Sequence, residues 1–289
     1  MKLYTFTIPQ DALDGRLMPY AGRMLPELPE YAVREAFDKR DVKVNGRRVG
    51  RDARVEAGAE VALYAREVPV RSPLRIAYAD DNVLAVVKPA GVSCERDPKG
   101  GKTVTELARD ALLALQPDAR EPLLCHRLDN QTDGLLLLAR HEKAQAALVR
   151  AFRERLVHKT YICVVRGTPE PAHRVLRAFL RKDAKHARVF ILPREERGAL
   201  PVVTEYTVLE KGECARLQIA LHTGRTHQIR AHLASIGHPL LGDDLYGDRA
   251  FNRRHRASRL LLSATGLSFS LRGELEYLNE KEFTYRPEF

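Results

Sequence analysis

The sequence predicts an α+β fold, and three observations carry that reading. Stretches with strand alternation and stretches with helical spacing follow one another without regular β–α alternation, which argues against a doubly wound parallel sheet. Asn45-Gly46 stands between Val42/Val44 and Val49, a strong two-residue hairpin signal. The run Leu135–Ala139 is apolar throughout, the pattern of a strand buried on both faces.

The elements follow in order. Residues 1–10 alternate, Leu3, Thr5 and Thr7 against Tyr4, Phe6 and Ile8, and read as a short strand. From Leu13 to Lys39 apolar residues recur at helical spacing (Leu13, Leu17, Tyr20, Ala21, then Ala32, Val33, Ala36, Phe37), with Pro26 and Pro29 dividing two helices. The basic hairpin VKVNGRRV comes next, and a turn at Ala57-Gly58 leads into the strand Val61–Tyr64. Pro69 and Pro73 mark a linker, giving an expected small unit over residues 1–70 and a larger one over 74–289.

In the larger unit Asn82–Lys88 reads as a buried strand stopped by Pro89-Ala90-Gly91. Thr103–Leu115 reads as a helix with Thr103 as N-cap. Leu123–Asp129 looks extended, Asn130–Gly134 is a polar turn, and Glu142–Arg155 is an amphipathic helix with basic residues outward. Val157–Arg166 alternates as a strand, and Thr204–Leu209 with Cys214–His222 forms a hairpin around Lys211-Gly212. Thr226–Ser235 is a short helix closed by Gly237 with Pro239 beyond.

The chain has 289 residues, enough for one or two domains, and 48 Lys+Arg against 38 Asp+Glu, a formal charge of +10. Its 44% hydrophobic and 30% charged content excludes wholesale disorder. No apolar run nears the ~20 residues needed to cross a bilayer. The opening MKLYTFTIPQDAL has no apolar stretch of signal-peptide length, and the four cysteines form no CxxC pair. A cytoplasmic, membrane-free, monomeric protein is expected. The positive charge is clustered: Arg140–Arg197 holds 15 Lys+Arg against 6 acids, and Arg249–Arg259 five arginines and no acid. Such clusters are the footprint of a nucleic-acid binder, and equally of solvated surface.

Two segments carry candidate chemistry. In HRLDNQTDG, Asp129 ends an extended segment beside a polar turn and a rigid core strand. A catalytic carboxylate is well placed there, and so is a loop aspartate that only caps the turn. In HTGRTHQIRAH, Arg225 just precedes an expected helix N-terminus, where the dipole repels a cation by some ~0.3–1 kcal/mol. A nearby carboxylate partner would explain the placement, and a phosphate-binding or structural arginine is the alternative. His222, His227, His232 and His238 crowd this region with Asp243 and Asp244, which raises a metal site. His227 and His232 are five apart, so they face different sides of a helix, unlike an i, i+4 ligand pair, and no metal is expected.

At these residues the sequence resembles the RluA-type pseudouridine synthase family. HRLDNQTDGLLLLAR is similar to the family's HRLDxxTSG motif, and TGRTHQIRAHLASIGHPLLGDDLYG to its second signature. DDNVLAVVKPAGV is similar to the leading strand and KPAG turn, and VHKTYICVV to the K-x-Y strand. Order and spacing agree over about residues 74–270. The N-terminal unit is similar to the S-four RNA-binding domain often joined to these enzymes.

The resemblance implies a catalytic domain on a mixed, mainly antiparallel sheet with flanking helices. It implies isomerisation of specific uridines in RNA to pseudouridine, with ribosomal RNA of the large subunit as the expected substrate and transfer RNA as the alternative. Residue by residue, Asp129 matches the nucleophile, Arg225 the arginine that pairs with it, and Tyr161 the tyrosine stacked on the target base. Arg127 matches the residue that fills the hole left by the flipped nucleotide. Leu261, or Leu262 beside it, would form the apolar wall of the uracil pocket. His126 and Thr132 are expected against the RNA, as are Lys43, Arg47 and Arg48 of the N-terminal hairpin. Because the isomerisation conserves atoms and oxidation state, no cofactor is expected. The sequence departs from the pattern at Asp133, where the family has serine, at Val87, where asparagine is common, and in LLLSATGLSF, where a His-Ala pair is frequent. Asp133 would place a second carboxylate near Asp129, raising one of the two pKa values unless Arg225 or solvent offsets it.

Overall fold

The computed structural model describes residues 2–10, 12, 15–25, 28, 30–65, 74–95, 101–113, 116, 118–183 and 187–289. Leu13, Pro26, Pro29, Leu115 and the expected linker at Pro69–Pro73 lie outside them. The chain divides into two compact units, Met1–Pro73 with Glu95–Thr103, and Leu74–Cys94 with Val104–Phe289.

The smaller unit runs β1 (Lys2–Thr7), α1 (Leu17–Met24), α2 (Glu30–Asp38), β2 (Val42–Val44), β3 (Arg47–Val49) and β4 (Glu60–Ala65), with sheet order β1-β4-β2-β3. The hairpin lies where Asn45-Gly46 predicts it. Both residues have positive φ (47° and 81°), which matches the twist of the flanking strands. Asn45 Oδ1 accepts from Glu60 N at 3.0 Å, tying the turn to β4. Val42 and Val44 point into a core with Leu17, Phe37, Val61 and Leu63, so Lys43 and Arg48 are turned the other way.

The larger unit begins with β5 (Arg75–Ala79), β6 (Val83–Lys88), α3 (Val104–Leu113), β7 (Leu123–Leu124), β8 (Asp133–Ala139), α4 (Glu142–Arg153) and β9 (Val157–Arg166). It continues with β10 (His173–Asp183), β11 (Arg188–Leu192), β12 (Leu200–Glu210), β13 (Cys214–Leu221), α5 (Gln228–Ser235), α6 (Arg249–Arg254), β14 (Leu262–Phe269), a 3₁₀ turn over Gly273–Glu280 and β15 (Phe283–Thr284). Among the described residues the strands form one sheet in the order β11-β10-β12-β13-β9-β14-β8-β6-β5, with β15 on β14 and β7 on β8. Every pairing is antiparallel except β14 with β8. The sheet is therefore mixed and mainly antiparallel, as the resemblance implied.

The apolar run of β8 alternates between two cores. Leu136 and Leu138 pack with Leu84, Val86 and α3, while Leu135, Leu137 and Ala139 pack with Val83, Ala85 and α4. Gly134 (φ 108°) lets β8 lie against β14, because a Cβ there would sit 2.2 Å from the Ala264 carbonyl oxygen. Three expectations are corrected. Only Leu123–Leu124 of the extended segment forms a strand, because the chain must turn away from β8 before Asp129. The helix expected from Thr226 begins at Gln228, with His227 left-handed (φ 52°) just before it. Strands β10 and β11 fall inside the stretch read only as a basic cluster, since their alternation is half written in arginine.

Candidate active site

A cavity of about 640 Å³ opens in the larger unit where the turn before β8, strand β9 and the segment from β13 into α5 meet. That volume lies within the roughly 300–1,000 Å³ usual for small-ligand sites. Asp129, Tyr161, Arg230 and Leu262 line it, with Arg127 and Arg225.

Asp129 is held from both sides. Leu128 is buried in the core before it, and Thr132 N–H donates to the Asp129 carbonyl at 3.1 Å after it. Beneath the turn lies Lys88, a fully buried lysine whose ammonium donates to the carbonyls of Pro89, Val92 and Asn130 at 3.0, 2.9 and 3.1 Å. Its three N–H groups are thereby used, which is what allows the charge to be buried. Gly91 N–H also reaches the Asn130 carbonyl at 2.8 Å, and Asn130 Nδ2 donates to Ser93 Oγ at 2.8 Å. The KPAG turn is thus the floor on which the carboxylate's loop rests.

The cation facing that carboxylate is Arg230, not Arg225. Arg230 Nη1 lies 3.9 Å from Asp129 Oδ2. The rest of its guanidinium is clamped: Nε donates to Asp243 Oδ2 at 2.7 Å and Nη2 to Asp243 Oδ1 at 2.8 Å. Asp243 also accepts the N–H groups of Leu245 and Tyr246, both at 2.9 Å. Burial alone would push the Asp243 carboxyl up, but Arg230 and those two amides hold it below its ordinary range. Tyr246 lies under the guanidinium, 5.3 Å from ring centre to Cζ. Arg225 sits in the loop three residues before α5, exposed, with its backbone N–H donating to Gln228 Oε1 at 3.1 Å. It lies too far from the first turn for the dipole argument to apply. Asp243 is the signal that was present in the sequence for Arg230, but there it was weighed only as a metal ligand.

Tyr161 is buried on β9, opposite Ile219 and Ala264, beside a register irregularity in β14 between Ala264 and Gly266. Burial, and then the charge of Asp129, push its phenol well above the ordinary tyrosine range. Leu262 lines the cavity, whereas Leu261, just before β14, packs instead with Val164, Leu241 and Phe251 and is tied by backbone hydrogen bonds to Leu241 and Val164. His126 lines the cavity, but its Nε2 accepts Leu137 N–H at 3.0 Å. Burial, and then Lys159, lower its pKa to about 3, so it is a neutral anchor on the core strand. Thr132 is buried within the turn, and Arg127 is exposed at the cavity mouth.

The remaining residues divide cleanly. Asp133 is paired with Arg259 (3.5 Å) rather than set against Asp129. Burial, opposed by Arg259, raises its pKa, so the like-charge effect expected from the sequence is not the cause. The crowded histidines each have a separate neighbour: His222 meets Glu205, His227 the Tyr246 hydroxyl, His232 the Thr204 hydroxyl, and His238 the Arg166 carbonyl. Lys43, Arg47 and Arg48 lie in the smaller unit; Lys43 lies over the Tyr64 ring at 5.5 Å, while both arginines are exposed.

An oriented carboxylate beside a fixed guanidinium, with an aromatic and an aliphatic wall, suits covalent attack on a flat base and its sugar. Comparison with known proteins identifies the family. Residues 82–235 match the family model described as RNA pseudouridylate synthase. The chain is 32% identical over 288 residues to ribosomal large subunit pseudouridine synthase C of Vibrio vulnificus, covering 93% of this chain and 89% of that protein. It is 32% identical over 291 residues to the enzyme of the same name from Escherichia coli K12, covering 94% and 90%. Among solved structures, human RNA pseudouridylate synthase domain containing 1 superimposes with a TM-score of 0.57 at 27% identity, covering 68% of this chain and 79% of that one. With its fold, its sequence over nine-tenths of its length and its central segment all agreeing, this chain belongs to the RNA pseudouridylate synthase family and is an isomerase.

Proposed function

We propose that the chain converts specific uridines of large-subunit ribosomal RNA to pseudouridine, with Asp129 as the nucleophile. The observation that carries this reading is the Asp129–Arg230–Asp243 array in the cavity: a carboxylate on an anchored loop, faced at 3.9 Å by a guanidinium that Asp243 clamps. The named relatives act on large-subunit ribosomal RNA, and their likeness spans both units of this chain, which supports the substrate class.

A uridine stacked in RNA must leave the stack before its glycosidic bond is reachable, at a cost of a few kcal/mol. Arg127, at the cavity mouth, offers a flat guanidinium to occupy the vacated position, and Tyr161 and Leu262 receive the base on its two faces. The Asp129 carboxylate bonds to C1′ as the N1–C1′ bond breaks, the freed base turns, and C5 bonds to C1′ as the Asp129–C1′ ester bond breaks and releases the carboxylate. The hydrogen lost from C5 is balanced by one gained at N1, so atoms and oxidation state are conserved. Tyr161 stays a neutral phenol in this scheme, since both influences on it oppose ionisation, and its part is to stack and donate rather than to take the C5 proton. The smaller unit, with Lys43, Arg47 and Arg48 on its hairpin, serves as an S-four-like RNA-docking module.

Asp129→Asn keeps the shape and hydrogen bonding of the turn and removes the nucleophile. On an unmodified large-subunit ribosomal RNA transcript it should bind as the parent does and form no pseudouridine. Pseudouridine formed by the variant would remove Asp129 from the role.

A further inference from the structure

Among the described residues of the larger unit, those packed against strands β10, β11 and β12 lie on one face. Leu180, Val189 and Val202 pack with Ala231 of α5 on the inner side. The outer side presents Val175, Arg177, Phe179 and Arg181 on β10 and Phe190 and Leu192 on β11. Phe190 is 46% exposed and Val175 38%, unusual values for large apolar side chains on a sheet. The register sets them in rows: Phe190 is opposite Arg181, and Phe179 lies between Leu192 and Pro201. Arg177, opposite Val203, is exposed and has no acidic partner among the described residues. Aromatic and guanidinium groups therefore alternate across an open, pleated surface.

Two features say what covers it. The first is charge: Arg177 and Arg181 of β10 stand on this face, Arg181 paired with Glu196, while Arg174 and Lys182 point to the inner side. The carboxylate in the middle of this face, Glu205, is capped on both oxygens, by His173 Nε2 at 2.8 Å and His222 Nε2 at 2.7 Å. The second is continuity. The row Val175–Glu205–Ala220–Thr160 crosses four strands, and its last two members, with His222, line the catalytic cavity. A polymer entering the cavity at that edge is carried by the register onto the open face.

We propose that this face is a platform for single-stranded RNA flanking the target uridine, Phe190 and Phe179 stacking on bases and Arg177 on the backbone phosphates. Exposed aromatics on a sheet hold unpaired bases without strict sequence preference, each stack strengthening binding substantially, and interleaved arginines add stacking and charge. The inference rests on the synthase reading for its substrate, and adds where the RNA lies beyond the modified nucleotide.

The test uses the full chain and an unmodified large-subunit ribosomal RNA transcript, with a uridine-centred trinucleotide as the short probe. Phe190→Ala with Arg177→Gln should raise Kd and KM for the transcript about tenfold and leave trinucleotide binding within twofold, at an unchanged melting temperature. Phe190→Tyr should restore the affinity that Phe190→Ala removes, because the stacking ring returns. Transcript affinity within twofold of the parent in the double variant overturns the proposal, including where the face proves to hold a protein instead. If the parent forms no pseudouridine on the transcript while the variants still lose affinity, the synthase reading fails and the platform stands. If the parent modifies the transcript and the variants bind as it does, the reverse holds.

Discussion

Arg230 shows how one side chain can be read correctly only with its neighbours. In the sequence it follows Ile229, which with Leu233 lies at apolar helical spacing, so a two-faced helix would turn it outward. Instead α5 is buried over Gln228–Leu233, and its polar members are inside because each has a partner. Gln228 alone joins Thr223, Arg225, Val203 and Thr204. The consequence can be measured. Arg230→Lys keeps a charge against the buried Asp243 but removes the fork that fixes the group facing Asp129. Without one charge-assisted hydrogen bond of about 1.5–3 kcal/mol in the transition state, kcat should fall by roughly tenfold to a hundredfold. Arg225→Gln removes an exposed cation at the cavity edge, so its effect should fall on KM with kcat within about twofold. Single-turnover assays on both variants separate the two, and the opposite pattern would return the part of Asp129's partner to Arg225.

At the scale of elements, legibility followed burial. Val157–Arg166 is a strand with the bounds its alternation predicts, and the LLLLA run lies between two cores, because apolar side chains there have nowhere else to go. Strands β10 and β11 escaped notice because one face is solvent-exposed and carries arginine, so the apolar half of the pattern is short. Asp129 and the turn that holds it were visible as a motif, but Lys88 beneath them was legible only as part of KPAG, since three carbonyl partners come from two separate segments. The junction of β8 with β14 depends on Gly134 in the same way. Gly134→Ala would set a Cβ 2.2 Å from the Ala264 oxygen at φ 108°, combining overpacking with backbone strain, and should cost about 3 kcal/mol or more. Gly46→Ala, also at positive φ but with nothing within 4 Å, should cost only about 1 kcal/mol. Denaturant titration of both variants compares them directly, and equal destabilisation would mean that the close approach of β8 to β14 carries no energy of its own.

For the whole molecule, the +10 balance could not by itself distinguish solvated surface from an RNA footprint. The structure sorts that charge by how it is held. Arg230 is buried and clamped, and Arg259 is spent on Asp133. Arg47 and Arg48 are exposed on a hairpin in the other unit, with Lys43 between the two buried valines of β2. Only the exposed class can exchange its counterions for RNA phosphates, so only it should set the salt dependence of binding. Changing Lys43, Arg47 and Arg48 together to glutamine leaves Val42, Val44 and the Asn45-Gly46 turn in place, so the hairpin should still fold. Each phosphate left without its cation makes the slope of log Kobs against log salt shallower by about 0.7–0.9, so three phosphates amount to roughly 2–3. The triple variant should therefore bind a large-subunit ribosomal RNA transcript more weakly at low salt and approach the parent's affinity as salt rises, with kcat at saturating RNA unchanged. An unaltered slope would mean that the smaller unit does not touch the RNA backbone through this hairpin. A fall in kcat without a change in slope would mean that it acts on the chemistry instead.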